Sequence, residues 1–373
     1  MKAIVAQLIF LALPSFVMSQ TTYLLVGTYT GGGSEGIYVY KFNSQTGEAE
    51  LVSTAASSNP SYLEVSPDKR FVYAVNENGD GKGAISAFGF NPENGQLVFS
   101  NEELTHGDHP CHVSIDKTGK WAVASNYSGG NFAVFGIGDD GSLRPASQII
   151  KHAGKGPHPD RQEGPHVHSA WFSPDNRYLL VMDLGTDKLM TYAFDATSGK
   201  VIPAPVPFTA TAPGAGPRHF AFSPSGKFGY VIEELTGAVS AYQYADGKLK
   251  QFQTISSLPA DAKVANKDAG SADIHISPDG KFLYASNRGQ TNTIAIYSIN
   301  PENGKLSLKG QQPVLGKAPR NFNFDPSGRL LLVANMDSDE IVIFKRDAAT
   351  GLLEDSGRRI KLSKPVCVKW VVE

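Results

Sequence analysis

The chain has 373 residues, with 34 Lys and Arg against 36 Asp and Glu, a formal net charge of −2 and no long basic run. That balance excludes electrostatic attraction to nucleic acid or to an acidic membrane surface, and leaves a small molecule as the expected ligand. Two cysteines, Cys111 and Cys367, are too few for a disulfide framework and form no C-x-x-C pair.

The first nineteen residues read as a secretory signal: Lys2, an apolar run from Ala3 to Val17, and small Ser19 at the cut. Pro14 interrupts this run, which falls short of the ~20 apolar residues needed to span a bilayer. The mature chain is expected to start near Gln20 and to be exported, periplasmic or extracellular, with no membrane span left once the signal is removed.

Length alone suggests two domains of ~150 residues each, but internal repeats overrule that. TYLLVGTY (22–29) reads as a strand, and GIYVYKFNSQTGEA, from Gly36, as a strand with a Gly turn. A turn-then-strand phrase then recurs: SPDKRFVYAVNE (66–77), DKTGKWAVASNY (116–127), SPDNRYLLVMDL (173–184), SPSGKFGYVIEE (223–234), SPDGKFLYASNR (277–288) and DPSGRLLLVANM (325–336). The polar strand ends, Asn76, Asn126, Asp183, Glu233, Asn287 and Asn335, are spaced by 50, 57, 50, 54 and 48 residues. Sixteen residues before each stand Pro60, Pro110, Val167, Pro217, Ser271 and Pro319, which open a further strand. The last segment, KPVCVKWVV (364–372), matches that opening strand, with Pro365 in the place of Pro60. The third strand of the unit therefore occurs seven times, and the first two occur six times in full with a seventh pair split between the ends. This predicts an all-β fold over residues 20–373, a seven-bladed β-propeller with four antiparallel strands per blade, closed by strands from both termini.

In such a blade the start of the first strand and the end of the second meet at one rim of the central channel. One position after the opening anchor the copies read Ser61, Cys111, His168, Arg218, Ala272 and Arg320, and the next position reads Tyr62, His112, Ser169, His219, Asp273 and Asn321. One position past the polar end stand Glu77, Tyr127, Leu184, Glu234, Arg288 and Met336, with Thr28 from the split blade. The polar ends resemble one another and are read as turn caps. Their neighbours vary from blade to blade, as one asymmetric pocket at the channel mouth requires.

The stretch GKGPHPDRQEGPHVH (154–168) accounts for the 57-residue spacing and brings Arg161 and Gln162 toward the mouth as a lid or specificity loop. His166 and His168 stand two apart, on one face of a strand. Zinc takes three or four ligands and this pair has no clear third in the sequence, so no metal is assigned. There is no nucleotide, flavin or nicotinamide fingerprint, and no cofactor is expected. Cys111 and Cys367 fall on innermost strands two blades apart and are expected as free thiols.

The segments GPHVHSAWFSPD, GPRHFAFSPSG with EEL downstream, SADIHISPDGKFLYASNRG and APRNFNFDPSGRLLLVAN closely resemble the seven-bladed lactonase family. That family includes propeller-type 6-phosphogluconolactonases and fungal carboxymuconate cyclases, and the resemblance spans essentially the whole mature chain. It implies a hydrolase that opens a sugar lactone or, in the cyclase branch, an enzyme that closes one; the partner is then a lactone or sugar acid. By likeness the functional residues are His168 in HSA, Arg218 in GPRH, Arg288 in SNRG and Glu234 in EEL, all four on the rim that the repeat register defines. Arg320, His219, Asp273, His166 and Arg161 are candidates for binding substrate. In this reading His168 takes a proton from water, Arg218 and Arg288 hold the carbonyl oxygen or a substrate anion, and Glu234 orients an arginine or shuttles the proton. A non-enzymatic binding propeller would show a flatter, aromatic-rich rim instead. Phosphogluconolactonases of this type serve cytosolic sugar metabolism, so the export signal is a departure that leaves the particular lactone open.

Overall fold

The repeated phrase works as a turn because its side chains bond its own backbone. In SPDGKF, Ser277 Oγ donates to Asp279 Oδ1 (2.5 Å) and accepts from Phe282 N (3.0 Å), while Gly280 N donates to Ser277 O (2.8 Å). The following strand, Phe282–Asn287, is buried along its whole length. A computed structural model of the protein describes residues 21–264 and 268–372, so the expected signal lies outside the described residues.

Seven four-stranded antiparallel sheets result, each in sequential order except one. In the exception, the last strand, Pro365–Val372, pairs with the first, Thr22–Thr28, which continues to Gly36–Asn43 and Glu48–Ala56. This is blade 1, built from both ends of the chain. Blades 2 to 7 follow in order, with innermost strands Leu63–Val65, Pro110–Ile115, Val167–Phe172, Pro217–Phe222, Ser271–Ile276 and Pro319–Phe324. Outer strands such as Gln96–Leu104 alternate between exposed and half-buried residues, as sheets with one solvated face do.

Neighbouring blades are locked by a recurring contact. An aromatic residue near the start of a blade's second strand reaches the Gly turn between the third and fourth strands of the next blade. Tyr73 donates to Gly141 O (3.0 Å), Tyr230 to Gly304 O (2.8 Å) and Tyr284 to Gly351 O (2.6 Å). Glycine is required at these turns twice over. Gly304 has φ +71°, and a Cβ there would sit 2.6 Å from the Phe228 ring.

The polar strand ends pair with the opening anchors, as the sixteen-residue spacing implies: Pro110 with Asn126, Val167 with Asp183, Pro217 with Glu233, Ser271 with Asn287, and Pro319 with Asn335. Their side chains bond local backbone. Asn126 Nδ2 donates to Thr105 O (3.2 Å), and Asp183 Oδ1 accepts from Gly185 N (3.1 Å). In blade 1 the anchor Pro365 pairs with Thr28, so the position one past the strand end belongs to Tyr29 and not to Thr28. Both cysteines are free and buried.

Candidate functional site

Immediately after the anchor pair, the innermost strand carries a β-bulge in several blades. The register skips Cys111, His168, Arg218 and Arg320, each left without a ladder partner. A bulge re-aims the extra residue, and here it does so at one end of the channel. Residues one past the second strand surround the same end. A cleft of about 620 Å³ opens there, lined by Tyr29, Glu77, Tyr127, Glu234, Arg288 and Met336 from the second strands' ends, by Cys111, His168 and Arg320 from the bulges, and by loop residues including Arg161 and Asp268.

Of the residues expected at the rim, His168, Glu234, Arg288, Arg320 and Arg161 line this cleft. Arg218 lies behind the wall, only 2% exposed. It donates from Nε to Glu234 Oε2 (2.9 Å) and from Nη1 to Ala272 O (2.6 Å), crossing to the blade whose bulge position holds a small residue. His219 and Asp273 form a deeper layer and do not line the cleft; His219 Nδ1 is 2.8 Å from Asp273 Oδ1. His166 precedes its strand rather than sharing a face with His168. Its ring stacks on Tyr127 (centroids 4.4 Å apart), with Nδ1 3.0 Å from Tyr127 O and Nε2 3.1 Å from Glu163 Oε1.

Glu234 is the centre of the charged wall. Its Oε1 accepts from Arg161 Nη2 (2.6 Å) and lies 3.1 Å from Arg288 Nη2, while Oε2 takes Arg218 Nε. Burial alone would raise its pKa, but Arg288, Arg218 and Arg161 outweigh burial and hold the carboxyl well below the usual carboxylate range. Burial, and then the charge of Arg288, brings Arg218 down to about 10, so it remains a cation at neutral pH. Arg161 also contacts Asp268 and Tyr127 Oη, so the long insertion reaches across the mouth. Gln162 braces that insertion, donating from Nε2 to Leu184 O (2.8 Å) and Asp187 Oδ1 (2.7 Å).

His168 is buried, with Nδ1 3.7 Å from Cys111 Sγ and its ring centroid 5.6 Å from Tyr127 and 5.2 Å from His219. Burial first, and then Arg218, His219, Arg320 and Arg288, push its pKa well below the ordinary imidazole value. The ring is therefore neutral at pH 7 and carries a lone pair. Burial pushes the Cys111 thiol up, which keeps it protonated and removes it as a nucleophile.

Below this wall, side chains one residue further along the innermost strands fill the channel. His112 packs against Tyr62 (4.4 Å between centroids) and Trp171 (4.7 Å). Asn321 links Asp273 Oδ2 (2.5 Å) to Val368 N (2.7 Å), and Leu63 N donates to Cys367 Sγ (3.3 Å). The channel is thus a packed polar core under an open cleft.

Tyr29, Glu77 and Asp268 are among the wall residues that the sequence did not single out as site candidates. Tyr29 was hidden by the one-residue slip in the split blade. Glu77 stands in the variable rim column, but nothing there sets it apart. Asp268 lies in the connection between blades 5 and 6, where no repeat supplies a register.

A family model described as "Lactonase, 7-bladed beta-propeller" matches residues 23–370. A 6-phosphogluconolactonase of Bacillus subtilis (strain 168) is 37% identical over 353 residues, covering 93% of this chain and 97% of that one. A solved structure from Bacteroides fragilis NCTC 9343 is 46% identical with a TM-score of 0.90, covering 96% of this chain and 99% of the other. The periplasmic gluconolactonase PpgL of Pseudomonas aeruginosa is 36% identical with a TM-score of 0.89, over 95% and 99% of the two chains. With a family model spanning both halves of the split blade and the intervening ring, the chain belongs to the lactonase family of seven-bladed β-propellers.

Proposed function

We propose that the chain is an exported hydrolase that opens a sugar lactone at this mouth of the channel. The observation that carries the proposal is the pairing, in one cleft wall, of a neutral buried imidazole with guanidinium groups fixed on a permanently ionised carboxylate. Lactone hydrolysis needs a base for water, a cationic seat for the oxyanion and a proton for the leaving ring oxygen. With Nδ1 of His168 against Cys111, Nε2 is the nitrogen left to take the water proton. The water oxygen bonds to the lactone carbonyl carbon, and the oxyanion settles beside the arginines. The carbon–ring oxygen bond then breaks, the imidazolium returns its proton to that oxygen, and the product acid releases a proton to solvent.

In this scheme Glu234 clamps Arg161, Arg218 and Arg288 in place. It does not shuttle protons, because three cations hold it ionised. Arg218, closed off behind Glu234, positions the clamp. His219 and Asp273 support His168 from below instead of touching substrate. Similarity to a 6-phosphogluconolactonase and to a periplasmic gluconolactonase supports an aldonolactone as substrate, and the latter relative, with the signal-like residues 1–19, supports a periplasmic setting.

The test is acid release by the purified mature protein with glucono-δ-lactone, its 6-phosphate and unrelated lactones, each measured against spontaneous opening. Acceleration with at least one aldonolactone is expected. If the panel opens only at its spontaneous rate, and the ultraviolet absorbance of 3-carboxymuconate disappears without uptake of water, the cyclase branch replaces the hydrolase reading.

A further inference from the structure

Four arginines serve the cleft, and they differ in what their nitrogens already hold. Arg218 is bonded to Glu234 and Ala272 O. Arg288 gives Nε to Gly270 O (2.8 Å) and Nη2 to Ser271 O (3.4 Å), with Glu234 beside it. Arg161 is committed to Asp268, Glu234 and Tyr127.

Arg320 is the exception. Among the described residues it donates no hydrogen bond, and its ion-pair partner, Glu77 Oε2, lies 3.6 Å from Nη2. The side chain is only 16% exposed, and the exposed part faces the cleft. A largely desolvated guanidinium with five N–H donors to satisfy is costly unless something fills them.

The surroundings keep that fork open. The guanidinium lies over the Tyr29 ring, 5.4 Å from its centroid, which covers a face and leaves the N–H edges free. Tyr29 Oη donates to Glu77 Oε2 (2.9 Å), and that oxygen stands 3.6 Å from Arg320 Nη2, beyond hydrogen-bond reach. Burial, with Glu77 beside it, pushes the Tyr29 hydroxyl up, so it stays a donor. Among the described residues, the cleft wall with Arg218 behind it sets four arginines and Lys263 against four carboxylates, Glu234, Asp268, Glu77 and Asp337, an excess of one positive charge.

We propose that Arg320, stacked on Tyr29 and flanked by Glu77, is the anion-recognising pole of the cleft and takes the carboxylate of a monoanionic sugar acid in two-toothed fashion. The fork geometry matches a carboxylate, and one excess positive charge matches one negative charge on the ligand. Where the lactone reading holds, and this extension rests on it, the same fork meets the lactone carbonyl oxygen as it gains charge.

Calorimetric titration of the mature protein with sodium gluconate tests the assignment. Wild type is expected to bind saturably. Arg320→Met should weaken binding by about 100-fold, and Arg320→Lys, which keeps the charge but loses the fork, by about tenfold, with melting curves confirming that both variants fold. Gluconate affinity within twofold of wild type in Arg320→Met, or no saturable binding to wild type, overturns the assignment. Binding is read without turnover, so the two proposals can fail separately. A protein that binds gluconate through Arg320 but opens no lactone keeps this pole and loses the hydrolase reading.

Discussion

Replacing Glu234 with alanine is expected to weaken both the fold and the activity more than any other single change at the rim. The substitution leaves Arg161, Arg218 and Arg288 facing one another with their shared counter-charge gone, and Arg218 is 2% exposed, where water cannot screen it. Removing one partner of a buried ion cluster costs about 3–5 kcal/mol, because the remaining charge keeps its desolvation penalty. Glu234→Gln preserves the shape but not the charge and should fall between the two. In either variant the arginines lose their fixed geometry, and turnover should drop by about 10²–10³-fold, the usual effect of removing a preorganised oxyanion contact. Denaturant melts and initial rates measured on the same preparations check this. A Glu234→Gln protein with wild-type midpoint and rate would remove Glu234 from its central place in the wall.

The second large effect is expected at Asp273, which touches no cleft surface. Its carboxylate accepts from His219 Nδ1 (2.8 Å) and from Asn321 Nδ2 (2.5 Å), and Oδ2 lies 2.9 Å from His275 Nε2. Asn321 in turn holds Val368 N of the closing strand. One side chain therefore ties blades 5, 6 and 7 to the seam where the two ends of the chain meet. Asp273→Ala should cost about 3–5 kcal/mol, appearing as a lower melting temperature.

The same layer sets the pH dependence of stability. Burial would raise the pKa of Asp273, but His275 and His219 outweigh it and hold the carboxyl well below 3.8; its contribution is complete above that value and is lost only as pH falls through the lower folded value. His219 responds earlier. Burial, and then Arg218, lowers its pKa from 6.5 to about 4, so the folded state resists protonation that the unfolded chain accepts. Stability is therefore full above pH 6.5 and declines toward pH 4, by ~3 kcal/mol from His219 alone. A melting temperature that stays level from pH 8 to pH 4 would contradict a buried neutral imidazole here.

The ring was legible because six copies of one phrase repeat at nearly constant spacing while the third strand of the unit occurs seven times, and the split of the seventh strand pair between the termini has no other physical explanation than closure. The anchor pairs, such as Val167 with Asp183, followed from the sixteen-residue interval, because a hairpin of fixed turn length fixes its register. Side-chain direction did not follow. His168 and His219 occupy adjacent columns of the repeat, yet one reaches the cleft and the other lies beneath it, since a bulge displaces the first and strand alternation turns the second away. Arg218 shares the column of His168 but folds behind Glu234, because the next blade offers small Ala272 and its carbonyl. Tyr29 was missed because the split blade has only one turn phrase from which to count, and a slip of one residue goes undetected there.

The central claim, that this mouth of the channel opens a lactone with His168 as base, is tested most directly by titrating acid release from glucono-δ-lactone with wild type and His168→Ala side by side. Clear acceleration by wild type is expected, with a loss of at least about 10²-fold in the variant and matching melting curves. Equal rates from the two folded proteins would contradict it.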